Sequence, residues 1–209
     1  MALRRRTYES KRMVLTRTNN IWFTSDTHFG HVNIVRYCGR PFKTIEEHDR
    51  CIIDNWNALV HPGDLVYHLG DFGMPQGFAD KSGYLTSIKS ELKGQVHFIR
   101  GNHDKLIKGD LGKMFVTDKM YNSVKVVDDE LDIKQNIILC HYPFQTWNRS
   151  HHGAWHLHGH CHGNLPTPDS MFRLDVGVDV HDFTPVSYDQ VKAIMAKKVF
   201  KPVDHHGRK

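Results

Sequence analysis

The sequence lacks a long hydrophobic run. None of its apolar segments approaches the ~20 residues that a membrane-spanning helix needs. Three arginines stand at residues 4–6, but no apolar stretch follows them, so this start does not have the pattern of a secretory signal. We therefore expect a cytoplasmic protein that has no membrane partner.

Cysteine is scarce, and its spacing is not that of a thiolate metal site. No two cysteines are separated by two residues, and nothing indicates a secreted protein. Free thiols are therefore expected in place of a disulfide framework or a zinc knuckle. The residues concerned are Cys38, Cys51, Cys140 and Cys161.

What the sequence does have is basic residues at both ends and an unusual number of histidines. Its 209 residues carry a net charge of +5 and include 17 histidines, which makes a search for metal ligands worthwhile. We predict a basic N-terminal segment (1–19), a single domain (20–200) and a basic tail (201–209). The two ends are either solvated termini or contacts for a phosphate-rich partner. The sequence does not indicate an oligomeric state.

The first half of the chain alternates between strand and helix patterns. Apolar runs at 21–23, 65–69 and 95–100 predict buried strands, and helices are predicted at 44–60 and 75–93. This alternation is typical of a layered α/β sheet. Shorter β runs follow, and a capping box at Ser187 and Gln190 predicts a last helix. The predicted later strands are 114–117, 123–127, 131–133, 137–140, 155–159 and 172–180.

Aspartate, asparagine and histidine recur where the predicted strands end. Asp26 and His28 lie two residues apart, as do His160 and His162, so in an extended backbone each pair points to one side. Hydrolysis of a phosphoester at neutral pH suits such mixed ligands, because two divalent ions can acidify a water and clamp the phosphoryl oxygens. The remaining residues of this kind are Asp71, Asn102, His103, Asp104 and His141.

Five short blocks resemble, in order, the signatures of the calcineurin-like metallophosphoesterases. They are Asp26-x-His28, Gly70-Asp71, Gly101-Asn102-His103-Asp104, His141 after a strand, and Gly159-His160-x-His162. The resemblance runs from about residue 20 to about residue 195. Segments 29–31 (Phe-Gly-His) and 40–42 (Arg-Pro-Phe) look like a small branch of bacterial and phage members. The resemblance implies an α/β fold, a β-sandwich of two mixed sheets flanked by helices.

The resemblance also implies a site for two divalent ions, with manganese or an iron–manganese pair expected and zinc, nickel or magnesium as alternatives. Asp71 is the natural bridge, since a carboxylate has two oxygens to share. Asp26, His28 and His162 would complete one metal site, and Asn102, His141 and His160 the other.

By the same resemblance, a metal-bridging hydroxide attacks the phosphorus while His103 serves as general acid. Asp104 either orients the His103 ring or caps a helix that follows. His158 is a candidate for a group behind the ligands. Tyr142, Phe144 and Trp147 either stack on a flat substrate group or pack under a loop. Candidate substrate contacts are His31, Asn33, Arg36, Arg40 and Arg173.

We therefore predict a metal-dependent phosphoesterase for a small, nucleotide-like or other phosphomonoester or phosphodiester. The alternatives are a nuclease acting on DNA or RNA and a scaffold without catalysis, although every expected ligand is present. A protein phosphatase is not expected. Members of that kind carry Gly-Asp-x-Val-Asp-Arg-Gly, whereas this chain continues from Asp71 with Phe72, Gly73 and Met74.

Overall fold

The structure, a computed structural model, describes residues 13–16, 20–128 and 133–201. Most of the predicted N-terminal segment and residues 202–209 of the predicted tail lie outside the described residues, so the roles predicted for them stay predictions. Residues 13–16 of the N-terminal segment form a strand. The division of the chain at residues 20 and 200 also stays a prediction.

Within the described residues the structure has ten strands and four α-helices. In chain order the strands are β1 (Met13–Thr16), β2 (Ile21–Thr24), β3 (Leu65–His68), β4 (Gln95–Ile99), β5 (Thr117–Lys119), β6 (Tyr121–Asp128), β7 (Ile133–Cys140), β8 (Trp155–His158), β9 (Arg173–Asp175) and β10 (Val186–Ser187). The helices are α1 (Ile34–Tyr37), α2 (Ile45–Leu59), α3 (Lys81–Glu91) and α4 (Tyr188–Met195).

The strands form two mixed sheets of five, which confirms the predicted architecture. One sheet has the order β10-β2-β3-β4-β5, with β10 antiparallel to β2 and the other pairs parallel. The second has the order β1-β6-β7-β8-β9, and only β6 and β7 are antiparallel. The carboxyl ends of β2, β3 and β4 therefore meet at one edge, which is where open α/β sheets build their ligand sites.

The core lies in two layers, one on each face of the first sheet. Phe23 and Tyr67 belong to a cluster shared with Leu139 and Leu157 of the second sheet, so this layer joins the two sheets. On the opposite face, Trp56 of α2 belongs to a second cluster that also includes residues of β3, β4 and α3. Each fully buried large apolar side chain contributes about 1.5–3 kcal/mol to stability. The two layers hold the strand ends in fixed positions.

Helix α2 is confirmed at the predicted residues, and its start is capped. The Thr44 side chain accepts a hydrogen bond from the backbone N–H of Glu47. Glu47 in turn accepts from the Lys43 N–H, one residue before the expected partner of a capping box. The capping box of α4 at Ser187 and Gln190 is complete. No helix among the described residues is long and apolar enough to cross a membrane, and the four cysteines are free.

Three predicted elements differ in extent or type. The helix predicted at 75–93 begins at Lys81, because Asp80 caps it by accepting from the Gly83 N–H. The strand predicted at 114–117 is displaced: a 3-10 turn covers Leu111–Met114, and β5 begins only at Thr117. Of the strand predicted at 131–133, residues 131 and 132 lie outside the described residues, and Ile133 begins β7. The β run predicted at 172–180 ends at Asp175, because Asp175 Oδ1 accepts from the Gly177 N–H and turns the chain.

Replacement of Thr44 by alanine should lower the free energy of unfolding by about 0.5–2 kcal/mol, because the Glu47 N–H loses its acceptor. Chemical denaturation measures this change. Thr86→Ala is a matched control on the exposed surface of α3, where the threonine hydroxyl bonds only back to Ser82. It should be neutral or slightly stabilising. Equal losses in both variants would contradict a capping role for Thr44.

Candidate metal centre

Five loops bring the predicted metal ligands together. They follow β2, β3, β4, β7 and β8, the strand ends that meet at one edge of the sandwich. Potential ligand atoms of Asp26, His28 and His162 all lie within 4.8 Å of one another. Those of Asp71, His141 and His160 form a second group with the same spread. Two adjacent clusters of carboxylate and imidazole groups result.

Asp71 joins the two clusters. Its Oδ2 lies 3.5 Å from His28 Nε2 and 3.4 Å from His141 Nε2, so one carboxylate faces a histidine of each group. Asn102 Oδ1 lies 3.0 Å from His141 Nε2, on the side of the second cluster. This arrangement has the form expected of a bridging carboxylate. The assignment of each ligand to a metal stays a prediction.

The backbone at these positions is left-handed, not extended as the sequence argument assumed. Eight non-glycine residues of the described chain have positive φ, and five of them are predicted ligands. Non-glycine residues rarely adopt this conformation, and such outliers cluster at functional sites. The ligand pairs therefore converge because the loops turn sharply. The five residues are Asp26 (φ 59°), His28 (φ 53°), Asp71 (φ 54°), His160 (φ 72°) and His162 (φ 48°).

The loops also approach each other more closely than side chains would allow. A Cβ at Gly101 would lie 2.6 Å from the backbone nitrogen of Asp71 and collide with the Asp71 carboxylate. A Cβ at Gly70 would lie 2.8 Å from His141 Nδ1. Contacts below 3.0 Å are essentially never made by real Cβ atoms. Glycine directly before Asp71 and directly before Asn102 is therefore a steric requirement of the site.

The ionisable groups of the centre are buried, and their pKa values are shifted. Burial raises the pKa of Asp26 to about 7, although His141 and His162 act in the opposite direction. Burial also raises the pKa of Asp71, but the hydrogen bond and charge of His141 and the charge of His28 outweigh it and leave that pKa well below its usual range. Burial lowers the pKa of His28. Metal ligation requires carboxylates and neutral imidazoles, and burial favours the neutral form for His28.

The residues present fit a divalent cation. His28 Nε2 is a buried nitrogen without a hydrogen-bond partner, and it faces Asp71 Oδ2 at 3.5 Å. An orphaned buried polar atom costs about 1–3 kcal/mol unless something pairs with it. Imidazole and carboxylate ligands suit manganese, iron, zinc and nickel alike. The donor set therefore supports metal binding without selecting the metal.

Asp179 is a functional residue that the sequence argument missed. Its Oδ2 lies 2.7 Å from His162 Nδ1, which leaves the other ring nitrogen for the cluster with Asp26 and His28. Burial lowers the pKa of His162, but the hydrogen bond and charge of Asp179, together with contributions from Cys38 and Asp26, raise it to about 10. A carboxylate behind a metal-binding histidine fixes its tautomer and ring orientation. Asp179 lies in a segment predicted as a strand, and no motif marks it.

Arg40 was predicted as a phosphate contact, and this prediction is wrong. The side chain is buried, and its Nε and Nη2 each donate to Asp179 at 2.7 Å. Nη2 also donates to the Asp26 carbonyl at 2.8 Å, and Nη1 donates to His48 Nε2 at 2.6 Å and to the Thr27 carbonyl at 3.3 Å, so all five N–H donors are used. No donor remains for a substrate. Arg40 instead holds Asp179 and the first ligand loop in place.

Asp104 contacts the loops and not the ring of its neighbour. Its carboxylate accepts from the backbone N–H groups of Gly101 (2.6 Å), Asp71 (2.7 Å) and Phe72 (2.9 Å). The expected helix after Asp104 is not formed, since residues 105–110 are irregular and a 3-10 turn begins at Leu111. Burial raises the pKa of Asp104 to about 6. These contacts tie the second and third ligand loops together, and a catalytic role stays a prediction.

A cavity of about 430 Å³ opens beside the clusters. Of the predicted catalytic and substrate residues, His103, His31 and Asn33 line it together with the ligands His28 and His162. The ring centroid of His103 lies 5.4 Å from that of His28 and 6.1 Å from that of His31. The histidine predicted as general acid therefore faces the same space as the metal ligands.

The two remaining predicted arginine contacts lie elsewhere. Arg36 is exposed, and its guanidinium lies 5.3 Å from the ring centroid of Tyr37 at the mouth of the cavity. Arg173 is buried and donates to the carbonyls of Phe144 and Pro166, so it supports loops. Its Nε has no hydrogen-bond partner among the described residues, and Arg173 does not line the cavity described above, so its predicted phosphate contact stays a prediction.

Of the three aromatic residues after His141, two pack under a loop, whereas Tyr142 is partly exposed. Phe144 stacks on His156 with centroids 4.9 Å apart, and Trp147 Nε1 donates to the Ala154 carbonyl, so both pack under a loop. Tyr142 is partly exposed, and its ring lies 4.9 Å from that of His160. His158 lies behind the ligand loops with Nδ1 2.9 Å from the Gly159 carbonyl.

The sequence model of the calcineurin-like phosphoesterases matches residues 20–192 of this chain. The chain belongs to this family. Membership confirms the resemblance and supports a metal-dependent phosphoesterase in general terms. Members of the calcineurin-like phosphoesterases bind divalent metals, and the two clusters described above are candidate metal sites in this chain.

Relatives of this chain occur in archaea and in phages. An uncharacterized protein of Methanocaldococcus jannaschii is 35% identical over 190 residues, which cover 88% of this chain and 96% of that protein. The gene 66 protein of Mycobacterium phage D29 is 28% identical, with 85% and 96% covered. A crystal structure of a protein of unknown function from Aquifex aeolicus is 24% identical, with a TM-score of 0.63 and 84% and 99% covered, and shows the same fold.

Replacement of Gly101 by alanine should abolish or strongly weaken metal binding, because the new methyl group collides with Asp71 and separates two ligand loops. Elemental analysis of the purified variant and isothermal titration with manganese measure this effect. Gly63→Ala is the control, since a Cβ there meets nothing within 4 Å and the backbone φ is not positive. Normal metal content in the Gly101 variant would contradict the steric argument.

Replacement of Asp179 by asparagine should weaken metal binding about 10–100-fold, the usual effect of removing a carboxylate behind a metal-binding histidine. Competition with a chelator measures the affinity, and thermal unfolding checks that the fold is retained. Asp118→Asn is a matched control, because Asp118 pairs with both Nε and Nη2 of Arg100 in a similar fork but does not contact a predicted ligand. Unchanged affinity in the Asp179 variant would remove its positioning role.

Proposed function

We propose that this protein hydrolyses small phosphomonoesters or phosphodiesters by means of two divalent ions, with His103 as general acid. The observation that carries the proposal is the pair of ligand clusters joined by Asp71, together with a cavity that His28 and His162 of the first cluster line with His103. Manganese or an iron–manganese pair is the proposed metal. When bound, the ions would supply an acidified water and neutralise charge on the phosphoryl oxygens.

The protein's own residues would position the phosphoryl group and protonate the leaving oxygen. His31 and Asn33 line the cavity close to His28 and would contact the substrate there. Asp71 Oδ1 accepts from the backbone N–H of His103 at 2.8 Å, so the backbone of the proposed acid is tied to the proposed bridging ligand. This link supports a fixed distance between the acid and the reacting phosphorus, which general acid catalysis requires.

The size and lining of the cavity support a small anionic substrate. A volume of about 430 Å³ lies in the range of small-molecule sites, which are typically about 300–1,000 Å³. Its lining contains histidine, amide, phenol and thiol groups but no carboxylate, so a phosphate entering it meets no like charge there. Arg40 donates to Asp179, and neither Arg40 nor Arg173 lines the cavity, which leaves the imidazoles as the proposed phosphate contacts.

Replacement of His103 by alanine should retain both metals and lower turnover about 10²–10⁴-fold, the usual worth of a positioned acid. The measurement is kcat on an alkyl phosphoester with manganese-loaded protein, alongside its metal content. The defect should shrink on a nitrophenyl ester, because an activated phenolate leaves with little protonation. Near wild-type turnover on the alkyl ester would remove the general-acid role.

Asp71→Ala is the companion variant that tests the metal centre itself. It should lose metal and activity together, since the only carboxylate shared by the two clusters is gone. Full activity of this variant would overturn the two-metal proposal. A substrate panel of nitrophenyl phosphomonoester and phosphodiester, cyclic nucleotides, nucleotides and oligonucleotides would define the reaction class.

A further inference from the structure

One wall of the cavity is built from residues that are not predicted metal ligands. Ile34 and Tyr37 of α1 line it with Met74 and Gln76 of the loop after β3, next to Asn33. This loop is held in place by backbone bonds, because Met74 N donates to the Phe29 carbonyl and Gln76 N to the Gly30 carbonyl, each at 3.0 Å. The wall is therefore anchored to the same loop that carries Asp26 and His28.

Tyr37 presents an exposed aromatic ring to the cavity. Its relative exposure is 65%, whereas its helix neighbour Ile34 is buried at 4%. The ring lies edge-on to His31 with centroids 6.3 Å apart, so it stands close to the proposed phosphate contacts. An exposed aromatic ring with a guanidinium beside it is a common platform for a flat ring. The Arg36 guanidinium lies over the Tyr37 ring, with its Cζ 5.3 Å from the ring centroid.

The two amides of this wall form a matched pair. Asn33 Nδ2 donates to Gln76 Oε1 at 3.2 Å. This bond leaves Asn33 Oδ1 as an acceptor and the Gln76 amide NH₂ as a donor for a third group. A purely apolar ring would remove water from the Asn33 oxygen and the Gln76 NH₂ group without forming hydrogen bonds to them, which lowers the affinity. The wall therefore favours a flat group that carries a donor and an acceptor on one edge.

We propose that this wall is the leaving-group subsite and that it takes a nucleobase, stacked on Tyr37 and paired at its edge with Asn33 and Gln76. The inference rests on the proposed phosphoesterase function and narrows its substrates to nucleobase-bearing phosphoesters. Such a base belongs either to a free nucleotide or to a nucleotide at the end of a nucleic acid. Both sources present the same nucleobase to the wall, and the comparison with oligonucleotides distinguishes them.

The first arm measures binding of nucleosides, which have no phosphate, by saturation-transfer NMR on metal-loaded protein. Nucleosides should bind the wild type and Tyr37→Phe, and they should bind Tyr37→Ala and Gln76→Ala more weakly. Ribose should not compete. This arm does not depend on catalysis. A protein that binds nucleosides through Tyr37 but hydrolyses no phosphoester would contradict the proposed function and retain the subsite.

The second arm compares kcat/KM for nucleoside phosphates with that for ribose 5-phosphate. Tyr37→Ala should lower the ratio by roughly 5- to 150-fold, the usual effect of losing one base–aromatic stack. Tyr37→Phe should retain the ratio. Val116→Ala, at an exposed apolar residue that does not line the cavity, should leave it unchanged. Equal loss on both substrates in Tyr37→Ala, or no nucleoside binding, would overturn the subsite.

Oligonucleotides distinguish the source of the base. A higher kcat/KM for a short oligonucleotide than for a mononucleotide, with a KM that rises steeply with salt, would assign the base to the end of a nucleic acid. The reverse preference, with weak salt dependence, would assign it to a free nucleotide. Both results support the subsite provided that Tyr37→Ala lowers the preferred reaction. A preference that is insensitive to Tyr37 and Gln76 would contradict it.

Discussion

The burial of the Asp71 carboxylate between two histidines is the interaction on which the rest of the site depends. Asp71 faces His28 and His141 at 3.5 and 3.4 Å, and a second carboxylate, Asp26, lies in the adjoining cluster. Two buried carboxylates so close together need compensating positive charge. Burial lowers the pKa values of His28 and His160, whereas contacts with carboxylates raise those of His141 and His162. A bound cation would supply the compensating positive charge, which accounts for the close spacing of the ligand atoms.

A second layer of polar contacts keeps these ligands from relaxing apart. Arg40 links the Asp26 carbonyl to Asp179, and Asp179 holds the ring of His162. Asp104 ties three backbone amides of the neighbouring loops. Left-handed residues are retained only where the surroundings over-determine them. The ligand geometry is thus maintained by buried hydrogen bonds and by glycines that leave no room between the loops.

Sequence patterns predict the part of this protein that follows from periodicity and strand ends. Phe23 and Tyr67 lie in buried strands, and Thr44 caps α2, because apolar spacing and capping are local properties. Arg40 and Asp179 could not be predicted, because they are 139 residues apart in sequence and meet only when the two sheets are assembled. An arginine near a phosphate-site motif has the same sequence appearance whether it binds substrate or supports a loop.

The proposed chemistry and the proposed specificity come from different parts of the fold. The predicted ligands lie at strand ends held by the core, whereas the wall with Tyr37 and Gln76 comes from a four-residue helix and a loop. Stacking and edge pairing can therefore change by substitution in α1 without disturbing Asp71 or the glycines around it. The wall with Tyr37 is nevertheless joined to the loop after β2, which carries Asp26 and His28, since backbone bonds join Phe29 and Gly30 to Met74 and Gln76. A base bound at Tyr37 would thus be held at a fixed distance from the metal ligands, which is what positioning a phosphoester for in-line attack requires.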